Sequence, residues 1–293
     1  LVKEFEMPSE EMRAFNEDAR SRKALLSSDY DPVAMRAALA APSAVAQSSR
    51  FEALGAGASL ELRGPATSSR LLLYVAGGGF CFGPSDAHRL FADSVAASVG
   101  ARAALVHHRL APEAPYPAAL EDVAASFHWA FEQTAPENII AMADSSGAAL
   151  ALSAMMTLRA CGGPLPGQAV FLSPLTDMAM TGASHVSNSD RDPLFGPEAI
   201  MHKARHYLQG ANPTDWRASP HWGDLAGLPP MYICAGSTEV MRDDAVRLAA
   251  KVRDAGGRAE LEIVEEAPHV FPLVAHLPEA AQTRASIAAF LRS

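Results

Sequence analysis

The sequence predicts an α/β chain built on a mostly parallel, three-layer sheet, with a binding cleft above the carboxyl ends of the strands. Three observations carry that expectation. Short apolar runs alternate repeatedly with helix-like segments across the 293 residues. Largely buried parallel strands need helices on both faces, and this alternation supplies them. No clear linker divides the chain, and 49% hydrophobic against 19% charged residues suffices for a large core. In such a sheet ligands bind outside the carboxyl edge.

Taken in order, residues 12–26 and 31–40 mix charges with Ala, Leu and Met and read as helices joined by a turn around Ser28 to Pro32. Helices there would shield a cleft. Strand candidates follow at 50–54, 58–64, 70–80, 101–108, 138–143, 168–173, 229–236 and 259–264, which together make an eight-stranded sheet. Segments 120–133, 145–160 and 242–257 read as the intervening helices. From about 174 to 220 the rhythm is broken by Pro174, Pro193, Pro197, Pro213 and Pro220 around a helical stretch at 198–208, as in an insertion or cap.

Thirty-three acidic against 24 basic residues leave a net charge of -9, which disfavours nucleic acid and anionic membrane as partners. Cys81, Cys161 and Cys234 are widely spaced and odd in number, so neither a disulfide framework nor a thiolate metal cluster is expected; a cytoplasmic location fits. The charged first residues contain no recognisable secretory signal, and no run of apolar residues is long enough to predict a spanning helix.

The most informative segment runs from Asn138 through Ala143–Asp144–Ser145–Ser146–Gly147 into a helical pattern, which reads strand, sharp turn, helix. A serine on such a turn projects from the sheet edge beside the helix N-terminus, so Ser145 is the nucleophile candidate. Alternatively, Asp144 or Ser145 merely caps the helix. Upstream, residues 71–75 lead into Gly77, Gly78 and Gly79, where backbone N–H groups can point inward. Gly78, Gly79 and Ser146 form a plausible set of oxyanion donors. The same glycines also suit a flexible turn or a phosphate loop, although the G-x-x-x-x-G-K-S/T pattern is absent.

His269 follows the last strand candidate and is placed to take the Ser145 proton; its alternative is an ordinary packing histidine. The acid is expected in the loop after 229–236, with Glu239 leading and Asp243 or Asp244 as alternatives. His107 and His108 have less distinctive surroundings. His202 and His206 share a helical i,i+4 spacing, but Lys203 stands where H-E-x-x-H needs Glu, so no metal is expected. Asp122, Asp190 and Asp192 are expected to cap helices or stabilise turns.

Together, Ala76–Gly79, the segment 108–120 with Arg109–Leu110–Ala111–Pro112–Glu113, Ala143–Gly147, Gly236–Ser237–Thr238–Glu239 and His269–Val270–Phe271 resemble the hormone-sensitive-lipase-like branch of the α/β-hydrolases over about residues 50–293. The resemblance implies an α/β-hydrolase core at 51–293, an N-terminal helical cap at 1–50 and a contribution to the cap from 185–216. It implies the order Ser145, Glu239, His269 for a catalytic triad, and hydrolysis of small or short-acyl carboxylic esters through an acyl-enzyme. The family commonly has His where Ala76 stands and Gly where Ala143 stands, which puts loop support and turn geometry in question. The expected partner is a small ester, open-chain or lactone, with no cofactor. A homodimer is left open. The alternative function is a catalytically weak or inactive small-ligand binding protein on the same fold.

Overall fold

The structure is a computed structural model that describes residues 7–26, 30–40 and 43–293. Residues 1–6 of the expected cap and Ser28 of its expected turn lie outside them. Eight strands among the described residues form one sheet: β1 (Arg50–Gly55), β2 (Ala58–Arg63), β3 (Arg70–Val75), β4 (Ala101–His107), β5 (Ile139–Asp144), β6 (Gln168–Leu172), β7 (Met231–Gly236) and β8 (Ala259–Val264). Their spatial order is β1-β2-β4-β3-β5-β6-β7-β8. β2 pairs antiparallel with β1 and β4, and every other pairing is parallel. The expected eight-stranded, mostly parallel sheet is therefore what forms.

Strand pleating divides the core in two. Leu71, Leu73, Val75, Ala141, Ala143 and Phe171 face one layer. That layer contains α4 (Ala118–Gln133), α5 (Ser146–Ala160) and α8 (Arg242–Asp254). Leu72, Tyr74, Ile140, Met142, Val170 and Leu172 face the other. There they meet α3 (Asp86–Ser98) and α9 (Pro278–Leu291). Burial on both faces explains why these strands are apolar at consecutive positions.

Helices α3 and α9 are not among the segments assigned from sequence. In α3 the reciprocal cap pairs Ser85 with His88, whose Nδ1 accepts from Ser85 N at 3.0 Å, in place of the usual Glu or Gln. α9 has no side-chain cap, and alanines dilute its apolar stripe of Ile287, Phe290 and Leu291.

The N-terminal helices are α1 (Glu10–Leu26) and α2 (Pro32–Leu39), the latter capped by Asp31, whose Oδ1 accepts from Val33 N at 2.9 Å. They bind loops at the carboxyl edge of the sheet. Asn16 Nδ2 donates to Glu266 O at 2.7 Å, Lys23 Nζ to Ser189 O at 2.6 Å, and Arg36 to Cys81 O at 2.7 Å. Between β6 and β7 the proline-rich stretch forms the short α6 (Ser184–Ser187) and α7 (Pro197–Leu208). Among the described residues, no helix is long and apolar enough to cross a membrane.

Candidate active site

Parallel pairing brings the carboxyl ends of β3, β5, β6, β7 and β8 to one edge, and the loops leaving that edge carry unusual backbone. Phe80, Ser145, Ser173 and Val270 all have positive φ, at 64°, 49°, 45° and 54°. Non-glycine residues hold such angles only where their surroundings over-determine them. At Ser145 the bonds responsible run both ways: its N–H donates to Leu172 O at 2.9 Å, and its carbonyl accepts from Leu175 N at 3.0 Å and Ala148 N at 3.1 Å. The turn also needs Gly147, because a Cβ there would drive into Val75 O. Ala143 is fully buried in the core, so its methyl group is accommodated at the position where the family commonly has Gly.

Ser145 Oγ lies 2.9 Å from His269 Nε2, and His269 Nδ1 lies 2.8 Å from Glu239 Oε2. Sequence separations of 124 and 30 residues are thus closed into one relay. Glu239 is fully buried. Its other oxygen accepts from Ser173 Oγ at 2.7 Å and Gly236 N at 2.5 Å, so the carboxylate is held at both ends. Ser173 Oγ in turn accepts from Val270 N at 2.9 Å, tying the histidine loop to the same anchor. The competing acids are engaged elsewhere. Asp244 accepts from Thr176 N at 2.7 Å, and Asp243 from Ser184 N at 2.9 Å.

Asp144 and Ser145 do not act as side-chain caps for α5: no cap bond is made by Ser145, and Asp144 turns back to the glycine loop. Asp144 Oδ1 accepts from Gly77 N at 3.0 Å and Tyr74 Oη at 2.8 Å, with His88 Nε2 at 3.5 Å. Burial works to raise this carboxyl, but the charge and hydrogen bond of His88, with those of Gly77 and Tyr74, outweigh it and leave the pKa below its ordinary value. Phe80 N donates to Ser146 Oγ at 3.3 Å, and Phe80 O accepts from Ala111 N at 3.0 Å. The loop is therefore supported without a side chain at Ala76 beyond its methyl group. Gly78 and Gly79 have φ of 139° and 62°, conformations that favour glycine. Among the described residues their N–H groups, and that of Ser146, have no protein acceptor.

These groups open on a cleft of about 370 Å³ whose walls include Phe82, Leu175, Phe195, Ile200, Met241 and Leu273. Phe195 meets the His269 ring edge-on, centroids 5.3 Å apart. The walls come in part from segment 195–204, whereas no described residue of the first 50 lines the cleft. Asp192 stabilises the turn before this wall, accepting from Leu194 N, Phe195 N and Val240 N. Asp122 has a different task from a cap: it grips Arg109 through two side-chain nitrogens and the backbone N–H, at 2.7–3.0 Å.

The other histidines singled out in the sequence, His107, His108, His202 and His206, do not join the relay. His107 Nε2 is 2.9 Å from Glu61 Oε2, and His108 Nδ1 is 2.8 Å from Arg109 O. His202 and His206 face each other with Nε2 atoms 3.2 Å apart, and His202 Nε2 is 2.9 Å from Tyr30 O. Among the described residues no group of three or more His, Cys, Asp or Glu is arranged to hold a metal ion.

A mostly parallel sheet with this strand order, a serine on the sharp turn after its central strand and a cleft at the carboxyl edge define the α/β-hydrolase class. Residues 72–273 match a family model described as alpha/beta hydrolase fold. An acetyl-hydrolase of Streptomyces hygroscopicus is 39% identical over 229 residues, covering 76% of each chain. The crystal structure of an esterase/lipase from an uncultured bacterium superposes with a TM-score of 0.87 at 31% identity, covering 97% of this chain and 98% of that one. An esterase of the bacterial hormone-sensitive lipase family gives 0.83 at 33% identity and 98% of both chains. The chain belongs to the hormone-sensitive-lipase-like carboxylesterase family of the α/β-hydrolases, whose family-level activity is hydrolysis of small carboxylic esters.

Proposed function

We propose that the chain is a serine carboxylesterase acting on small or short-acyl esters through an acyl-enzyme. The observation that carries the reading is the unbroken relay from Ser145 Oγ through His269 to buried Glu239, at the floor of an apolar cleft. Ser145 Oγ attacks the ester carbonyl while His269 Nε2 takes its proton. Glu239 holds the proton on Nδ1 and favours the imidazolium that forms. The N–H groups of Gly78, Gly79 and Ser146 receive the developing oxyanion, aided by the positive end of α5. His269 then protonates the leaving alcohol oxygen as the C–O bond breaks, leaving the acyl group on Ser145. In the second half His269 takes a proton from water, hydroxide adds to the acyl carbon, and Ser145 leaves with the proton returned.

Segment 185–216 is proposed as the part of the cap that shapes the acyl and alcohol pockets, braced from outside by the described helices of segment 1–50. Lys23 on the Ser189 and Asp192 carbonyls supports that bracing role. The test is a p-nitrophenyl ester panel from acetate to laurate with the unmodified protein and Ser145→Ala. Acyl release that falls off with chain length and disappears in Ser145→Ala is the expected result. No release from any ester would reject the reading in favour of a ligand-binding protein, and organophosphonate labelling of a different serine would reject Ser145 as nucleophile.

A further inference from the structure

Lys203 places a positive charge in the cleft that the hydrolytic relay does not use. It stands on α7 beside Ala204 and one turn from Ile200, and all three line the cleft. Its stem crosses the glycine loop so closely that a Cβ on Gly79 would lie 2.9 Å from Lys203 Cβ and Cγ. The ammonium lies 4.6 Å from the centre of the Phe195 ring, the same ring that meets His269 at 5.3 Å. Nζ is thus no farther from the imidazole centre than those two separations laid end to end.

Among the described residues no carboxylate answers this charge. Among the described residues Lys203 has no salt bridge or hydrogen-bond partner, and Glu113 is already paired with Arg36. Among the described residues the titratable neighbour whose field reaches it is Cys81, and burial pushes that thiol up to about 11, so it stays neutral. Desolvation works against the ammonium and holds its pKa below the ordinary lysine value. A half-buried ammonium on an apolar wall is a favourable partner for an anionic group that enters the cleft. Among the described residues no arginine or second lysine lines the cleft, so its chemistry matches one carboxylate rather than a dianionic phosphate.

We propose that Lys203 is a specificity-determining residue that selects esters carrying a carboxylate a few bonds from the scissile carbonyl, such as half-esters of short dicarboxylic acids. The inference rests on the esterase reading, and its test separates the two. Mono-p-nitrophenyl glutarate and p-nitrophenyl pentanoate have acyl chains of equal carbon number and differ by a terminal carboxylate in place of a methyl group. The ratio of their kcat/KM values is measured for the unmodified protein, Lys203→Met and Lys203→Gln, with folding checked by circular dichroism. Both substitutions are expected to lower the half-ester to neutral-ester ratio by about tenfold or more, the scale of a charge-assisted hydrogen bond.

An unchanged ratio overturns the inference while leaving the esterase reading intact, as does retention of the ratio by the Gln variant, which would make polarity rather than charge responsible. If neither ester is hydrolysed, the acetate-to-laurate panel decides the esterase reading and calorimetric binding of monomethyl glutarate decides the carboxylate site. Binding about tenfold weaker to Lys203→Met than to the unmodified protein supports the carboxylate site, and equal binding overturns it.

Discussion

Glu239→Gln is the substitution that separates a working relay from a merely well-packed one, because the geometry dictates how the amide must sit. The Oε1 position receives two donors, Ser173 Oγ at 2.7 Å and Gly236 N at 2.5 Å, so the carboxamide oxygen has to occupy it. The amide nitrogen is then forced toward His269 Nδ1, where Oε2 now sits at 2.8 Å. A donating amide requires Nδ1 to be unprotonated, which puts the imidazole proton on Nε2, facing Ser145 Oγ at 2.9 Å. That tautomer cannot accept the serine proton, and the negative charge that favours the imidazolium is gone. The loss expected from such a change is roughly 10⁴-fold in kcat, or about 5.4 kcal/mol of barrier. Because volume and the two donors' acceptor are retained, folding stability should change by no more than about 1 kcal/mol. The assay is p-nitrophenyl acetate hydrolysis at saturating substrate, alongside thermal melting. A folded Glu239→Gln protein retaining activity within about tenfold of the original would refute the tautomer argument.

Three further outcomes follow from the same contacts. Ser173→Ala removes a donor to Glu239 and strands Val270 N–H, and should lower unfolding free energy by about 1–2 kcal/mol in urea melts while lowering kcat more than it raises KM. Gly147→Val should give little folded protein in a solubility and circular dichroism test, since its Cβ meets Val75 O and backbone overpacking costs about 1–3 kcal/mol or more; a stable, active variant would contradict the turn geometry. Burial works to raise the Glu61 carboxyl, but hydrogen bonds from His107, Arg89 and Ser49 and the charge of Arg89 hold it well below its ordinary value of 4.5. A depressed carboxylate contributes stability that is fully present above that ordinary value and is lost as pH falls toward the folded-state value, so the Tm should drop below about pH 4.5 and Glu61→Gln should flatten that drop; an identical acid slope in the variant would count against this assignment.

The strand-to-helix alternation and the turn at Ser145 were legible because each is a local signal: a run of apolar residues, a small-residue turn, a helical pattern within a few positions. The order of Ser145, Glu239 and His269 could likewise be read along the chain. The supports of these residues could not. Ser173 meets Glu239 across 66 positions and Asp144 meets Tyr74 across 70, and neither has a neighbour in sequence that marks its task. The one available hint was shared placement after strands that end at the same edge. Helix α3 escaped assignment because His88 takes the capping-box position, and α9 because alanine weakens its stripe. Lys203 was noticed only as the residue that spoils a metal motif; its approach to Phe195 depends on how α7 lies over the glycine loop.

The two departures from the family pattern take on a physical meaning once the loop and the turn are seen as a unit. With alanine at position 76, Asp144 holds the glycine loop through Gly77 N, while Ser146 Oγ accepts Phe80 N two residues beyond Gly78. The same two residues flank Ser145. Any movement of the glycine loop relative to Ser145 must therefore break bonds to residues covalently joined to it, and the proposed oxyanion donors and Ser145 shift together rather than apart. Ala143 adds to that coupling: its methyl fills core space beside α5, at the register where β5 faces Val75 of the strand that leads into the loop. Preorganised donors are effective in proportion to how little they reorganise as charge develops. Local bonding between the turn and the loop meets that requirement without a side chain reaching in from position 76.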